Sequence, residues 1–214
     1  DKLNHLETQN DLLHAKNNSL EKSLHEISDR QKYHEVLLKY QKWEYPVPRP
    51  PQSYWDSIQH DQDHVDAATS FLEVIEEVTC HMRHGVESGD DAGEVKLVID
   101  DYLPYNDVFL PHWKEFANAL EEYQYCLKCL PQKMTLGDGS MFCLGNIQLP
   151  SAVLDLLSNA LRSTHFEQLG LSQNDNSGGD ILDFALTYAQ RNPILKWFGL
   201  DQNSIDNADY LSRI

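Results

Sequence analysis

Residues 165–174 read HFEQLGLSQN and residues 194–203 read ILKWFGLDQN, so Asn174 and Asn203 close two versions of one phrase twenty-nine residues apart. Aligned on the asparagines, Phe166, Leu169, Leu171 and Asn174 match Leu195, Phe198, Leu200 and Asn203. Each copy is apolar at alternate positions and then turns polar. A period of two makes a short strand with one buried face. The Asn side chain can bond backbone groups where the chain leaves the strand. A weaker copy lies upstream as Met141, Cys143 and Asn146, twenty-eight residues before Asn174, with Asp138 at its first apolar position. Leu97-x-Ile99, within VKLVIDD, reads as an outlying first strand.

Helical periodicity fills the intervals. Val153, Leu154, Leu157 and Leu161 share one face, and so do Ile181, Leu182, Ala185, Leu186 and Ala189. Upstream, Trp113, Phe116, Ala117 and Leu120 do the same. Residues 63–84 predict one more helix, with Val65, Ala68, Phe71, Leu72, Ile75, Val78 and Met82 on a common stripe and Gly85 suited to its stop. The acidic loop ESGDDAGE follows, and the terminal NADYLSRI reads as the start of a further helix. No strand-helix unit can bury its apolar face alone, so the units are expected to stack.

The pattern L-x-x-L-x-L-x-x-N at a period of twenty-eight to twenty-nine residues, with full helices between, resembles the ribonuclease-inhibitor-like class of leucine-rich repeats. The resemblance covers residues 139–214 closely. It covers 94–138 more distantly, because DYLPYNDVFL interrupts the unit. It implies an α/β solenoid, with residues 61–138 as a helical and irregular cap carrying a first degenerate unit. It also implies that the strands line a concave face. Outward positions on that face would be Phe142 and Leu144 in the first copy, Gln168, Gly170 and Ser172 in the second, and Trp197, Gly199 and Asp201 in the third. Of these, Phe142, Leu144, Gln168, Ser172, Trp197 and Asp201 are the candidate protein-binding residues. Asp201 and Asp100 would add a negative rim suited to a basic partner.

The N-terminal stretch obeys a different period. Leu6, Leu13, Leu20 and Ile27 recur every seven residues, and Leu3, Asn10, Asn17 and Leu24 fall three residues before them. These are the d and a positions of a coiled coil, and they are the candidate dimerisation residues. Leu at d favours two parallel strands, and Asn at a pairs with its own copy in register. Lys2 and Lys16 fall at g, and Glu7 and Glu21 at the following e, so each Lys faces a Glu of a parallel partner. The competing reading is an amphipathic helix lying on the C-terminal domain, which would bury the two asparagines. After Ile27 the pattern slips: His34 takes the next d position, and Val36, Leu37, Tyr40 and Trp43 form a looser stripe. The segment resembles the leucine zippers of basic-zipper transcription factors. That resemblance implies a parallel homodimer or heterodimer, and a basic region before Asp1.

Residues 1–45 are therefore read as the coiled-coil helix. Residues 46–60, which contain Pro46, Pro48, Pro50 and Pro51, are read as a stiff linker. Charge divides the chain at the same place. Residues 1–45 hold seven Lys/Arg against eight Asp/Glu, and the remainder ten against twenty-six. A net charge of −17 speaks against a nucleic-acid surface. Four cysteines in 214 residues are too few for a disulfide scaffold, so a reducing, intracellular compartment, cytoplasmic or nuclear, is expected. No apolar run is long enough to span a membrane.

Catalytic and metal chemistry find little purchase. Cys126-x-x-Cys129 with Cys80, His81 and His84 could compose a zinc site, but both Cys126 and Cys129 continue a helix and read as buried thiols. In HDQDH, Asp61 or Asp63 reads as a helix cap. The SGG of residues 177–179 precedes a helix but lacks the Lys and the spacing of a phosphate loop. The expectation is a non-enzymatic interaction scaffold with no metal and no cofactor, dimeric through its coiled coil and presenting a repeat surface to a protein partner. The alternative is a fragment of a basic-zipper-type regulator whose DNA-binding region lies before residue 1.

Overall fold

The computed structural model describes residues 2–40, 42–57, 61–84, 93–129, 139–174 and 179–203, with side chains in the first helix described from residue 9 onward except those of Leu37 and Tyr40, two members of the looser stripe. The elements run α1 (Lys2–Tyr40), α2 (Gln52–Ser57), α3 (Gln62–His84), β1 (Glu94–Leu103), a single 3-10 turn (Asp107–Phe109), α4 (Leu110–Cys129), β2 (Met141–Ile147), α5 (Ser151–Ala160), β3 (Gln168–Ser172), α6 (Gly179–Arg191) and β4 (Trp197–Gly199). The four strands form one parallel sheet in the order β1-β2-β3-β4. The strands β1, β2 and β3 are each followed by a helix and then by the next strand of the sheet, so the fold is mixed α/β behind a long N-terminal helix.

Helix α3 starts where Asp61 Oδ1 accepts the His64 N–H at 2.9 Å, so Asp61 is the cap. Its stripe of Ala68, Phe71, Leu72, Ile75 and Met82 is buried against β1 and α4. The helix faces read from the sequence in α4 and α5 are buried as well: Trp113, Phe116, Ala117 and Leu120, then Val153, Leu154 and Leu157, with Leu161 just beyond the end of α5. In α6, Ile181, Leu182 and Ala185 are buried, while Leu186 and Ala189 are half-buried. Gly85 and most of the acidic loop after it, His60, and the terminal NADYLSRI lie outside the described residues.

Strand register corrects the sequence alignment at β2. Phe142 pairs with Leu169 and Leu144 with Leu171. The spacing between equivalent residues is therefore twenty-seven, and the residue aligned with Asn174 is Ile147, not Asn146. A slip of one residue turns every side chain to the other face. Phe142 and Leu144, expected outward, are buried, and Met141 and Cys143 take the outward side. Asn146 misled the alignment because it too bonds the strand before it, its amide donating to Ile99 O at 2.5 Å, yet it stands one place earlier in the register. It has φ of 62°, as Gln173 (52°) and Gln202 (58°) have at the equivalent places in the next two layers. An amide side chain tolerates this left-handed conformation better than a branched apolar one.

Asn174 and Asn203 both bond backbone of the preceding strand-helix unit. The Asn203 amide donates to Leu171 O at 2.7 Å, and its Oδ1 accepts the Asn174 N–H at 2.7 Å. The Asn174 amide donates to Ile147 O at 3.0 Å. Each asparagine thus ties its own layer to the one before it. Asn203→Ala is expected to cost about 1–3 kcal/mol, because it strands a buried donor and a carbonyl. Equilibrium urea unfolding measures it, and a loss below about 0.5 kcal/mol would mean that water replaces the side chain.

The proline-rich stretch is not a bare spacer. It contains α2, whose Trp55 is buried against Phe109 at a centroid distance of 6.4 Å. Arg49 reaches Glu73 and Glu76 of α3 at 3.2 and 2.8 Å. The Tyr45 hydroxyl is hydrogen-bonded to His112 Nδ1 at 3.0 Å, and burial holds that imidazole down to about 4, so it is neutral near pH 7. The prolines of residues 46–51 keep the chain before α2 out of helix and leave it extended and free to lie on a surface.

Candidate functional site

Parallel sheets are usually covered on both faces, and their strands read as continuous apolar runs. Among the described residues this sheet is covered on one. Val95, Leu97 and Ile99 of β1, Phe142, Leu144 and Ile147 of β2, and Leu169 and Leu171 of β3 face the helices and are buried. Between them Lys96 and Val98 are exposed and Cys143 is half-buried, so β1 alternates as a one-sided strand does. Phe198 and Leu200, in the last described layer, are half-buried against the same core.

The outer face has a low floor. Gly145, Gly170 and Gly199 stand on three neighbouring strands, and each is overlain by a larger side chain. A Cβ on Gly145 would lie 3.0 Å from a Val98 methyl. One on Gly170 would collide with Cys143 Sγ, and one on Gly199 would lie 2.8 Å from Trp197 Cζ2. Trp197 lies across Gly199 toward Gly170 with half its surface open, at 50% exposure. Gln168 and Ser172 flank it on β3, half-buried. Asp201 is exposed in the turn after β4, and its carbonyl accepts the Gln173 N–H at 2.9 Å. Asp100 and Asp101 are exposed at the far end of β1. The two lysines nearby already have carboxylate partners, Lys96 with Glu94 at 2.5 Å and Lys196 with Glu167 at 2.8 Å. Of the candidate binding residues, the structure groups Gln168, Ser172, Trp197 and Asp201 on or beside this face and removes Phe142 and Leu144 to the core. Val98, Cys143 and Gly145 belong to it and escaped the sequence reading. The alternation of VKLVIDD carried the signal for Val98. Cys143 and Gly145 needed the correct register.

The second exposed surface is on α1. Leu13, Leu20, Leu24 and Ile27 are each close to three-fifths exposed, and Asn10 and Asn17 are exposed in line with them. The side chains of Leu3 and Leu6 lie outside the described residues. Among the described residues the helix meets the rest of the molecule near its C-terminal end, through buried Val36, half-buried Tyr33 and a Lys39–Glu122 ion pair at 2.9 Å. A groove of about 630 Å³ opens between α1 and α4, lined by Lys32, Lys39 and Arg83 against Glu35, Glu121 and Glu122. Most of its charges are paired: Lys32 with Glu35 at 2.9 Å, and Arg83 with Glu122 at 2.7 Å and with Glu115, beside the groove, at 2.8 Å.

Cys126 is buried on α4, Cys80 is half-buried on α3, and the Cys129 side chain lies outside the described residues. Burial pushes the Cys80 and Cys143 thiols up, which makes both poor nucleophiles. Among the described residues no three His, Cys, Asp or Glu side chains are placed to hold a metal ion. Among them also, no helix is long and apolar enough to cross a membrane. The chain matches no protein-family model, no curated protein and no solved structure.

Proposed function

We propose that this chain is a non-enzymatic protein–protein interaction scaffold of the intracellular space, built on leucine-rich repeats of the ribonuclease-inhibitor-like class and dimeric through α1. Its docking surface is the outer face of the sheet, and its partner is a protein with basic groups around an apolar anchor. The observation that carries this reading is the one-sided sheet, on which a half-open Trp197 lies over glycines. Large aromatics dominate binding energy at interfaces, often by about 2 kcal/mol or more each. Glycines beneath the ring give it room to lie flat against the sheet with its other face open. Asp100, Asp101 and Asp201 at the margins supply a field that favours a cationic partner and makes association salt-sensitive. The spacing of β2, β3 and β4 and the asparagine bonds between layers support the repeat assignment.

Trp197→Ala tests it. With the ring half exposed and packed over glycines, its loss is expected to lower stability by about 1 kcal/mol or less while removing at least tenfold in affinity for the captured partner. A thermal melt run beside quantitative capture at two salt concentrations separates the effects. Unchanged affinity in a folded variant would rule the sheet face out as the docking surface.

A further inference from the structure

Helix α1 carries two stripes, and among the described residues the domain occupies one. In the heptad frame set by Leu13, Leu20 and Ile27 at d, the buried Val36 falls at f and the half-buried Tyr33 at c. At ~100° per residue, the c/f stripe is roughly half a turn away from the a/d seam. The seam does not stop where the helix reaches the domain. Gln31 at a and His34 at d are exposed, and Leu38, at the next a, is 74% exposed. A large aliphatic side chain left that open, in line with Leu24 and Ile27, continues the stripe along the docked part of the helix.

We infer that the whole seam, from Asn10 through Leu38, is the interface with a second parallel copy of this chain, and that the two domains hang on the outer c/f faces of that coil. The inference rests on the scaffold reading and extends its dimer by more than a heptad beyond Ile27. Charge names the occupant and its direction. Lys16 at g precedes Glu21 at e, and Arg30 at g precedes Glu35 at e, with all four exposed. In a parallel pair, g of one helix meets the following e of the other, so each of these cations faces a carboxylate. An antiparallel pair would set g against g and bring Lys16 and Arg30 toward like charges. Asn10 and Asn17 at a likewise pair with themselves in a parallel, in-register dimer. The Arg30–Glu35 repeat of the pattern lies beyond Ile27, where the leucine spacing alone breaks off.

Oxidative cross-linking of the full chain tests both the occupant and the extent. Leu24→Cys, Leu38→Cys and, on the opposite stripe, Asp29→Cys are each compared with the unsubstituted chain under the same oxidant, beside light scattering and a thermal melt. The mass should be twice the 24.6 kDa of one chain at concentrations of about 100 µM. Leu24→Cys and Leu38→Cys should each raise the covalent dimer at least tenfold over the unsubstituted chain, and Asp29→Cys should not. If Leu24→Cys links and Leu38→Cys does not, the extension is wrong and the dimer of the scaffold reading survives. A monomeric mass with no link from Leu24→Cys overturns the second copy as occupant and gives the stripe to another chain. Neither result touches the sheet face, which the Trp197 measurement addresses separately.

Discussion

Phe142→Ala is expected to cost about 3–5 kcal/mol and to lower Tm by roughly 10 °C. The ring is fully buried, with Phe166 at 5.6 Å and Phe116 at 6.4 Å between centroids, and Phe166 in turn stacks on Tyr123 at 6.4 Å. This aromatic row runs from α4 across β2 to the start of β3, so truncation opens a void where three elements meet. The surroundings are themselves anchored. Tyr188 of α6 accepts the Phe166 N–H at 2.8 Å, and the Asn192 amide donates to Phe166 O at 2.6 Å. A segment pinned in this way collapses poorly into a cavity, which places the cost toward the upper end. Chemical denaturation gives the number. An outward Phe142 would behave in the opposite way, with stability unchanged and partner capture lost, so one variant decides between the two registers of β2.

Arg83→Ala is expected to cost about 3 kcal/mol. The side chain is 5% exposed and joins two carboxylates of α4, Glu115 and Glu122, from the last turn of α3. Its guanidinium also lies 5.7 Å from the centroid of the Trp43 ring. Removing one partner of a buried pair leaves charge without compensation, a loss of about 3–5 kcal/mol in enclosed sites. The lower end applies here, because Glu122 is 30% exposed and keeps Lys39. Combining Arg83→Met with Glu115→Leu should return most of the loss, since an apolar substitute of similar volume carries no desolvation cost. If the double variant is no more stable than Arg83→Ala, the cost comes from lost packing on Trp43 instead. The same substitution should loosen α1, because Glu122 serves both Arg83 and Lys39.

Element type was legible in the sequence because it depends on periodicity. The helices of residues 62–84, 110–129, 151–160 and 179–191 follow from apolar residues recurring at helical spacing. The strands at Leu169 and Phe198 follow from alternation and from asparagines that have one purpose in the turn. The outward place of Trp197 follows in the same way, from one step along a strand whose inward residues are clear. Register at β2 did not follow. Asn146 and Asn174 are the same residue type and both donate to a carbonyl of the strand before, but Asn146 does so from a left-handed backbone, one register position earlier. Only pairing with β3 separates them.

Alone, the sequence determined the repeating helices and strands from α3 onward and the heptad seam of α1 with asparagines in it, but not α2 nor the inward face of β2. The tertiary structure decided what lies against each surface. It seated Phe142 and Leu144 inside, set Trp197 on a glycine floor, packed Trp55 from the proline stretch into the core, and docked α1 by the stripe opposite its leucines. The reason is physical. Periodicity is a local property, carried by residues a few positions apart. Register, coverage and docking depend on contacts between residues tens of positions apart, and their energies appear only once the layers meet.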